Sequence, residues 1–237
     1  MLDTPVLPIQ DVKTKIISLP LPMHMGSVNC YLLQAGNGFV LIDTAGTNNR
    51  KELLLALEEA GCKPGLLKLI VITHGDFDHT GNANALREQY GAKIAMHPGD
   101  AGMAEQGDMF FNRKKPNVLI RMLLPLFSGL KKVDRFTPDL SLSEGESLAE
   151  FGLEAQVLSI PGHSKGSIGI LTAEGDFFCG DLMTNTDKPG LISLIDNLAE
   201  ANASLSRLGE NPIRMVYPGH GKPFTLDQLE ELAPGSS

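Results

Sequence analysis

The hexapeptide His74-Gly75-Asp76-Phe77-Asp78-His79 places four potential metal ligands within six residues. It follows the apolar run Leu69-Ile70-Val71-Ile72, which is typical of a buried strand. A single His or Asp after a strand is commonly a turn residue or a helix cap. Four imidazole and carboxylate groups crowded together would be costly without a cation, so the spacing predicts a metal-binding loop at the end of a strand.

The composition indicates an enzyme-sized globular chain. Its 237 residues suit one large domain or two small ones, and 42% hydrophobic content is enough for a sizeable core. The net charge of -8 argues against nucleic acid as a partner. No apolar stretch is long enough to span a bilayer, and residues 1–11 do not resemble a secretory signal. A cytoplasmic location is therefore expected, with reduced thiols at Cys30, Cys62 and Cys179.

The chain alternates strand and helix signals. Residues 12–43 predict a β-meander, and a helix over residues 47–61 leads to the apolar strand before the hexapeptide. Further elements are predicted as helices over 81–90 and 196–208 and as strands near 93–97, 155–160, 167–172, 176–179 and 213–217.

Residues 98–138 have a different character and predict a helical insertion. The segment mixes Met and Phe side chains with basic residues, which include Arg113, Lys114, Lys115, Lys131 and Lys132. One interpretation is a helix pair packed on the core with its charges solvated. The other is a lid over the site or a homodimer surface, since long insertions near a site often cover it.

Three later segments each end an apolar strand with a glycine-containing turn and one potential ligand. They are Ile160-Pro161-Gly162-His163, Phe177-Phe178-Cys179-Gly180-Asp181 and Val216-Tyr217-Pro218-Gly219-His220. A lone Gly-Asp would be an ordinary turn. Together with the hexapeptide, the three segments predict one metal site assembled from several strand ends.

This combination of a His-x-x-x-Asp-His loop with single His, Asp and His residues on later strands resembles the metallo-β-lactamase superfamily. The resemblance covers nearly the whole chain and implies a mixed α+β fold, a four-layer αββα sandwich. It implies one domain over residues 1–237 and a site for two divalent metal ions at one edge, between the two sheets.

The resemblance also implies roles for individual residues. His74, Asp76 and His163 would hold the first metal, Asp78, His79 and His220 the second, and Asp181 would bridge both. Asp43 would orient a ligand, the alternative being an ordinary turn aspartate. Lys165 is a weaker candidate for binding substrate, the alternative being a solvated lysine. His97 and His24 match no ligand position and are interpreted as structural or surface histidines, with His24 a weak candidate for the site's rim.

Asp76 departs from the commoner His-x-His-x-Asp-His loop of the family. With Asp76, Asp78 and Asp181, three negative charges face the four positive charges of two divalent metals, one more than the commoner pattern supplies. A carboxylate is a harder ligand than imidazole, so iron or manganese become alternatives to the expected zinc. A less positive centre would also favour a higher oxidation state of the metal.

The leading hypothesis is a hydrolase in which a metal-activated water attacks an ester, thioester, lactone or phosphoester of a small molecule, with Asp78 orienting the water or relaying a proton. The first alternative is a diiron redox protein related to the family's oxygen- and nitric-oxide-reducing branch. The second is a metal-bound regulatory protein without catalytic activity.

Overall fold

The computed structural model describes residues 14–23, 26–113 and 130–230. Its first sheet has six strands in sequential order. They are β1 (Ile16–Pro22), β2 (Ser27–Ala35), β3 (Gly38–Ile42), β4 (Leu67–Ile72), β5 (Lys93–Met96) and β6 (Leu140–Ser141). Strands β1 to β3 are antiparallel, which confirms the predicted meander, whereas β3 to β6 run parallel.

The second sheet is built from the later half of the chain. Its strands are β7 (Ala155–Ser159), β8 (Ile168–Thr172), β9 (Asp176–Asn185), β10 (Gly190–Leu191) and β11 (Met215–Gly221). They lie in the order β10-β9-β8-β7, and β11 pairs in parallel with β9.

Six helices accompany the sheets among the described residues. They are α1 (Arg50–Glu59), α2 (Phe77–Thr80), α3 (Ala83–Tyr90), α4 (Pro98–Gln106), α5 (Leu198–Leu208) and α6 (Asp227–Glu230). No helix in this described part has the length and apolar character needed to cross a bilayer.

The alternation of side chains along β4 shows how the layers form. Ile70 and Ile72 pack with Leu53 and Leu57 of α1 on the outer face of the first sheet. Leu69 and Val71 point to the opposite face, where they meet residues of the second sheet. Because both faces are covered, the strand is apolar throughout, as the sequence run predicted.

The second sheet is also covered on both faces, by the first sheet on one side and by a helix on the other. Phe178 packs between the sheets, whereas Phe177 and Cys179 pack on the outer face with Ala201 and Leu208 of α5. Helix, sheet, sheet and helix therefore form four layers, which confirms the predicted αββα sandwich. That residues 1–237 form a single domain stays a prediction.

The insertion predicted over residues 98–138 is helical at its start, where α4 lies. Turns follow over residues 108–113, and a 3-10 turn forms at Lys132–Asp134. The apolar and basic stretch 114–129 lies outside the described residues, and so does His24. The choice between a lid and a dimer surface stays a prediction.

Candidate metal centre

The hexapeptide follows β4 and bends into the short helix α2. Asp76 lies in extended conformation just before α2, and its carbonyl accepts hydrogen bonds from the backbone of His79 and from Thr80 Oγ1. His74 and His79 are buried, and Asp78 is only slightly accessible. The turn therefore directs four ionisable side chains inward instead of into solvent.

The second sheet supplies the other three predicted ligands. His163 follows β7 in a turn, as expected, but Asp181 and His220 lie inside β9 and β11 and not at strand ends. The prediction that Asp181 and His220 lie at strand ends was wrong, because each strand has a local irregularity near this residue and then continues past it. Gly180 adopts a positive φ of 49°, and the pairing of β11 with β9 shifts register on both sides of Pro218.

The seven side chains converge at this edge of the two sheets. Asp181 is central, with carboxylate oxygens 3.4 Å from His79 Nε2, 3.3 Å from His220 Nε2 and 3.9 Å from His74 Nε2. Ligand atoms within 4.8 Å of one another fall into two groups. They are His74, His163 and Asp181, and Asp78, His79 and His220.

Asp76 joins the first group through one oxygen. Its Oδ2 lies 3.1 Å from His163 Nε2 and 3.7 Å from His74 Nε2. The structure thus brings together all seven predicted ligands, arranged around two adjacent positions.

Several of the inward-facing atoms have no hydrogen-bond partner. His74 Nε2, His79 Nε2 and Asp181 Oδ1 are buried and unpartnered. Unpartnered buried polar atoms are costly in an apolar interior, and two divalent cations, one at each group of ligands, would satisfy all three. The donor set of imidazole nitrogens and carboxylate oxygens suits zinc, iron or manganese. These residues therefore fit a pair of metal ions.

The other nitrogen of each imidazole is held by a neighbour. His163 Nδ1 lies 2.6 Å from the carbonyl of Leu194, and His220 Nδ1 lies 2.8 Å from that of Ser27. A carbonyl only accepts, so Nδ1 carries a proton in both rings, and metal binding would displace the proton on Nε2, the atom that faces the centre.

Asp43 anchors the two remaining histidines. Its Oδ2 lies 2.8 Å from His79 Nδ1 and accepts from Thr73 Oγ1, which in turn lies 3.0 Å from His74 Nδ1. Its Oδ1 accepts from the Thr73 backbone N–H at 2.9 Å. Asp43 and the nearby Ala45 both adopt a positive φ, near 60° and 54°, in a region unusual for residues other than glycine. The backbone is thus bent to bring this carboxylate under the histidines.

The electrostatics of the metal-free chain reflect this crowding. Burial lowers the pKa of His74 well below its usual value, and the neighbouring His79 and His163 rings lower it further. Burial would also lower the pKa of His220, but the Asp181 and Asp78 carboxylates together outweigh it and raise that pKa to about 10. The cluster is therefore internally ion-paired when no metal is bound.

Arg113 was missed as a site residue. Its guanidinium forms a close ion pair with Asp76 Oδ1, and its Nη2 donates to the carbonyl of His163 at 3.2 Å. The side chain is only 6% exposed, so the expectation of solvated charges in the insertion is wrong for this residue. The count of three carboxylates against two metals omitted this cation. The only sequence signal was indirect, since a carboxylate at the position where the commoner loop carries histidine needs a compensating charge.

Asp100 was also missed. This fully buried residue in the first turn of α4 accepts hydrogen bonds from Gly75 N and Ser164 Oγ through Oδ2 and from Gly166 N through Oδ1. It ties the hexapeptide loop to the His163 loop. No local pattern distinguished it from an ordinary helix-start aspartate.

Two residues named from the sequence lie at the margin of the centre. Lys165 is exposed beside the His163 loop, and its role in binding substrate stays a prediction. His97 Nδ1 accepts from Gly99 N and caps α4, which agrees with a structural histidine.

Comparisons with known proteins agree with this geometry. The sequence model of the metallo-beta-lactamase superfamily matches residues 25–220. The chain is 27% identical over 224 residues to hydroxyacylglutathione hydrolase GloC of Haemophilus influenzae, covering 90% of this chain and 95% of that protein. It is 26% identical over 228 residues to the human acyl-coenzyme A thioesterase MBLAC2, covering 86% and 77% respectively.

A solved structure of TTHA1623 in a di-iron-bound form superposes with a TM-score of 0.69 at 30% identity, covering 91% of this chain and 98% of that one. Family match, fold and site thus agree along most of the chain. The chain therefore belongs to the metallo-β-lactamase superfamily and is a metal-dependent hydrolase.

Proposed function

We propose that the chain is a dinuclear hydrolase that cleaves small acyl thioesters. The observation that carries the proposal is the convergence of seven candidate ligand side chains, three of which present a buried atom without a hydrogen-bond partner. In this assignment His74, Asp76 and His163 would hold one ion, Asp78, His79 and His220 would hold the other, and Asp181 would be a ligand to both.

Bound there, two divalent ions would acidify a water molecule and polarise the oxygen of the scissile carbonyl. Asp78 is the residue placed to orient the attacking water or to carry a proton to the leaving group. Its Oδ2 lies 3.4 Å from His220 Nε2 and 3.9 Å from His79 Nε2, and its side chain retains 13% exposure. It is thus the carboxylate of the cluster with the most access to an incoming substrate.

Thioesters are preferred among the ester, lactone and phosphoester alternatives because of the relatives. Hydroxyacylglutathione and acyl-coenzyme A, which two relatives are named for, are both acyl thioesters. The attack of water on the thioester carbonyl releases a carboxylate and a thiol. Thiolates are good leaving groups, so the reaction requires little acid assistance.

The metal remains zinc in our proposal, with iron and manganese as alternatives. Asp76 supplies a hard oxygen ligand, and TTHA1623 has been solved with two irons. Arg113, however, neutralises the extra negative charge of Asp76. The argument that a less positive centre favours a diiron redox protein is therefore weaker. A redox protein would consume oxygen or nitric oxide when reduced, which the assay below measures.

The test is metal analysis combined with turnover. Purified protein should hold two ions per chain and hydrolyse S-acyl glutathione or acyl-coenzyme A substrates. Asp181→Ala should lose both ions and the activity. Asp187→Ala should lose neither, because Asp187 is exposed and lies just beyond the end of the strand that contains Asp181. A fully loaded chain that hydrolyses no thioester, or one that consumes oxygen or nitric oxide when reduced, would contradict the proposal.

We expect a cytoplasmic protein with a small-molecule substrate and no nucleic acid partner, acting as a monomer or a homodimer. Cys30, Cys62 and Cys179 are buried and form no disulfide with one another, which supports the expectation of reduced thiols.

A further inference from the structure

Arg113 contacts the proposed metal centre from outside the ligand set. It reaches Asp76 Oδ1 with one terminal nitrogen, the His163 carbonyl with the other, and Asp196 Oδ2 with Nε at 2.7 Å. One arginine therefore touches the hexapeptide, the backbone of a second predicted ligand, and the segment before α5.

The two oxygens of Asp76 have separate partners. Oδ1 is occupied by Arg113, while Oδ2 faces His163 and His74. A carboxylate held in this way can offer only one oxygen to a cation, which is also what a single imidazole nitrogen would offer at that position. The ion pair thus makes Asp76 a one-atom ligand and cancels its additional charge.

Burial makes the arrangement strongly interdependent. The side chains of Arg113 and Asp76 are 6% and 7% exposed. Removal of one partner from a buried ion pair leaves the other uncompensated, and a carboxylate without its cation would rotate or draw in water. The position of Oδ2 therefore depends on Arg113.

We propose that Arg113 is a positioning residue that holds Asp76 as a one-oxygen ligand and supplies the charge that permits a carboxylate at this position. The inference rests on the proposed function, since it assumes that two ions bind. Loss of Arg113 should weaken mainly the ion held by His74, Asp76 and His163. The ion held by Asp78, His79 and His220 should be affected less.

The test compares Arg113→Gln in the wild type and in the Asp76→His background. In the wild type, Arg113→Gln should lower the affinity for one of the two ions about 10- to 100-fold, as loss of a partner that orients a metal ligand usually does. It should also accelerate release of that ion to a chelator. In Asp76→His, which has no extra negative charge, Arg113→Gln should have no effect or should tighten binding. Arg113→Lys should fall in between, because it keeps the charge but not the fork of donors.

Arg50→Gln is the matched control. Arg50 pairs with the buried Asp134 at 2.5 Å, and although its own side chain is 37% exposed, its loss removes an arginine–aspartate ion pair that includes no predicted ligand. It should lower thermal stability without changing metal content. The readouts are metal ions per chain, release rates and thermal unfolding of the metal-free variants, none of which requires turnover.

Four outcomes would overturn the inference. Equal metal loss on Arg113→Gln in both backgrounds would overturn it, because Arg113 would then be only a structural tie between segments. Retention of two tightly held ions by Arg113→Gln would overturn it while leaving the proposed function intact. A wild-type chain that binds fewer than two ions would overturn both. If Arg113→Gln unfolds, folding of the double variant with two ions supports the inference, and unfolding of both overturns it.

Discussion

Replacement of Asp43 by Asn tests whether this carboxylate sets the protonation of His79. Asn tolerates the positive φ that Asp43 adopts, so the backbone should keep its conformation. The amide nitrogen, however, would face either His79 Nδ1 or the backbone N–H of Thr73, both of which now meet a carboxylate oxygen. Facing His79, it would donate to Nδ1 and move the ring proton to Nε2, the atom turned to the centre.

The expected magnitude follows from either orientation. A donor that faces another donor in a buried site costs about 1–3 kcal/mol. Loss of a partner that orients a metal ligand usually weakens metal binding about 10- to 100-fold, or about 1.4–2.8 kcal/mol. Asp43→Asn should therefore weaken the ion held by His79 by one to two orders of magnitude.

The assay is competition against a chromophoric chelator, with Asp134→Asn as the control. Asp134 is also a buried carboxylate, but it pairs with Arg50 and not with a histidine of the centre. Its substitution should lower stability and leave metal affinity unchanged. Affinity of Asp43→Asn within about threefold of the wild type would refute the reasoning, since the expected loss is at least about tenfold and His79 would then keep its tautomer without the carboxylate.

Three further changes test other parts of the centre. Gly219→Ala would place a methyl group in contact with Asp181 Oδ1 and 2.7 Å from a carbon of the His79 ring. The number of metal ions per chain should therefore fall to one or none, and retention of two ions would contradict this. Asp100→Asn would turn a donor toward Gly75 N or Gly166 N and should reduce the free energy of unfolding in urea by about 1–3 kcal/mol; an unchanged value would show that the tie between the two loops is dispensable. The raised pKa of His220, about 10 against an ordinary 6.5, means that its ion pairing with Asp181 stabilises the metal-free fold fully below about pH 6.5 and is lost as the pH rises toward 10. Metal-free protein should thus unfold at progressively lower urea across this interval, and a midpoint independent of pH would exclude the pairing.

The fold was predictable where local pattern and packing agree. The apolar run before the hexapeptide contains Leu69 and Ile70 facing opposite layers, and a strand with both faces covered is apolar by necessity. The seven proposed ligands could be named from the sequence because their residue types and spacing repeat a family pattern. Asp181 was placed at a strand end because Gly180 is typical of a turn, whereas its positive φ is a kink within a strand that continues to Asn185.

Arg113 could not be placed from the sequence because its partners are remote. It lies 37 residues from Asp76 and 50 from His163, in a segment where it is one of several basic residues. Which of those residues turns inward depends on how the chain after α4 returns to the centre. Local spacing carries no information about that path. The need of a buried Asp76 for a counter-charge indicates only that some cationic side chain must reach it.

The distribution of the ligands over both sheets has a consequence for biosynthesis. The hexapeptide belongs to the first half of the chain, but His220 lies in β11, which is the last of the described strands to be made and which pairs inside the second sheet. A nascent chain can bury its first sheet early, yet it lacks ligands for a complete pair of ions until β11 has left the ribosome. The proposed ligand set therefore makes metal acquisition a late step of maturation, and we expect chains interrupted before this strand to be recognisable by their failure to retain metal.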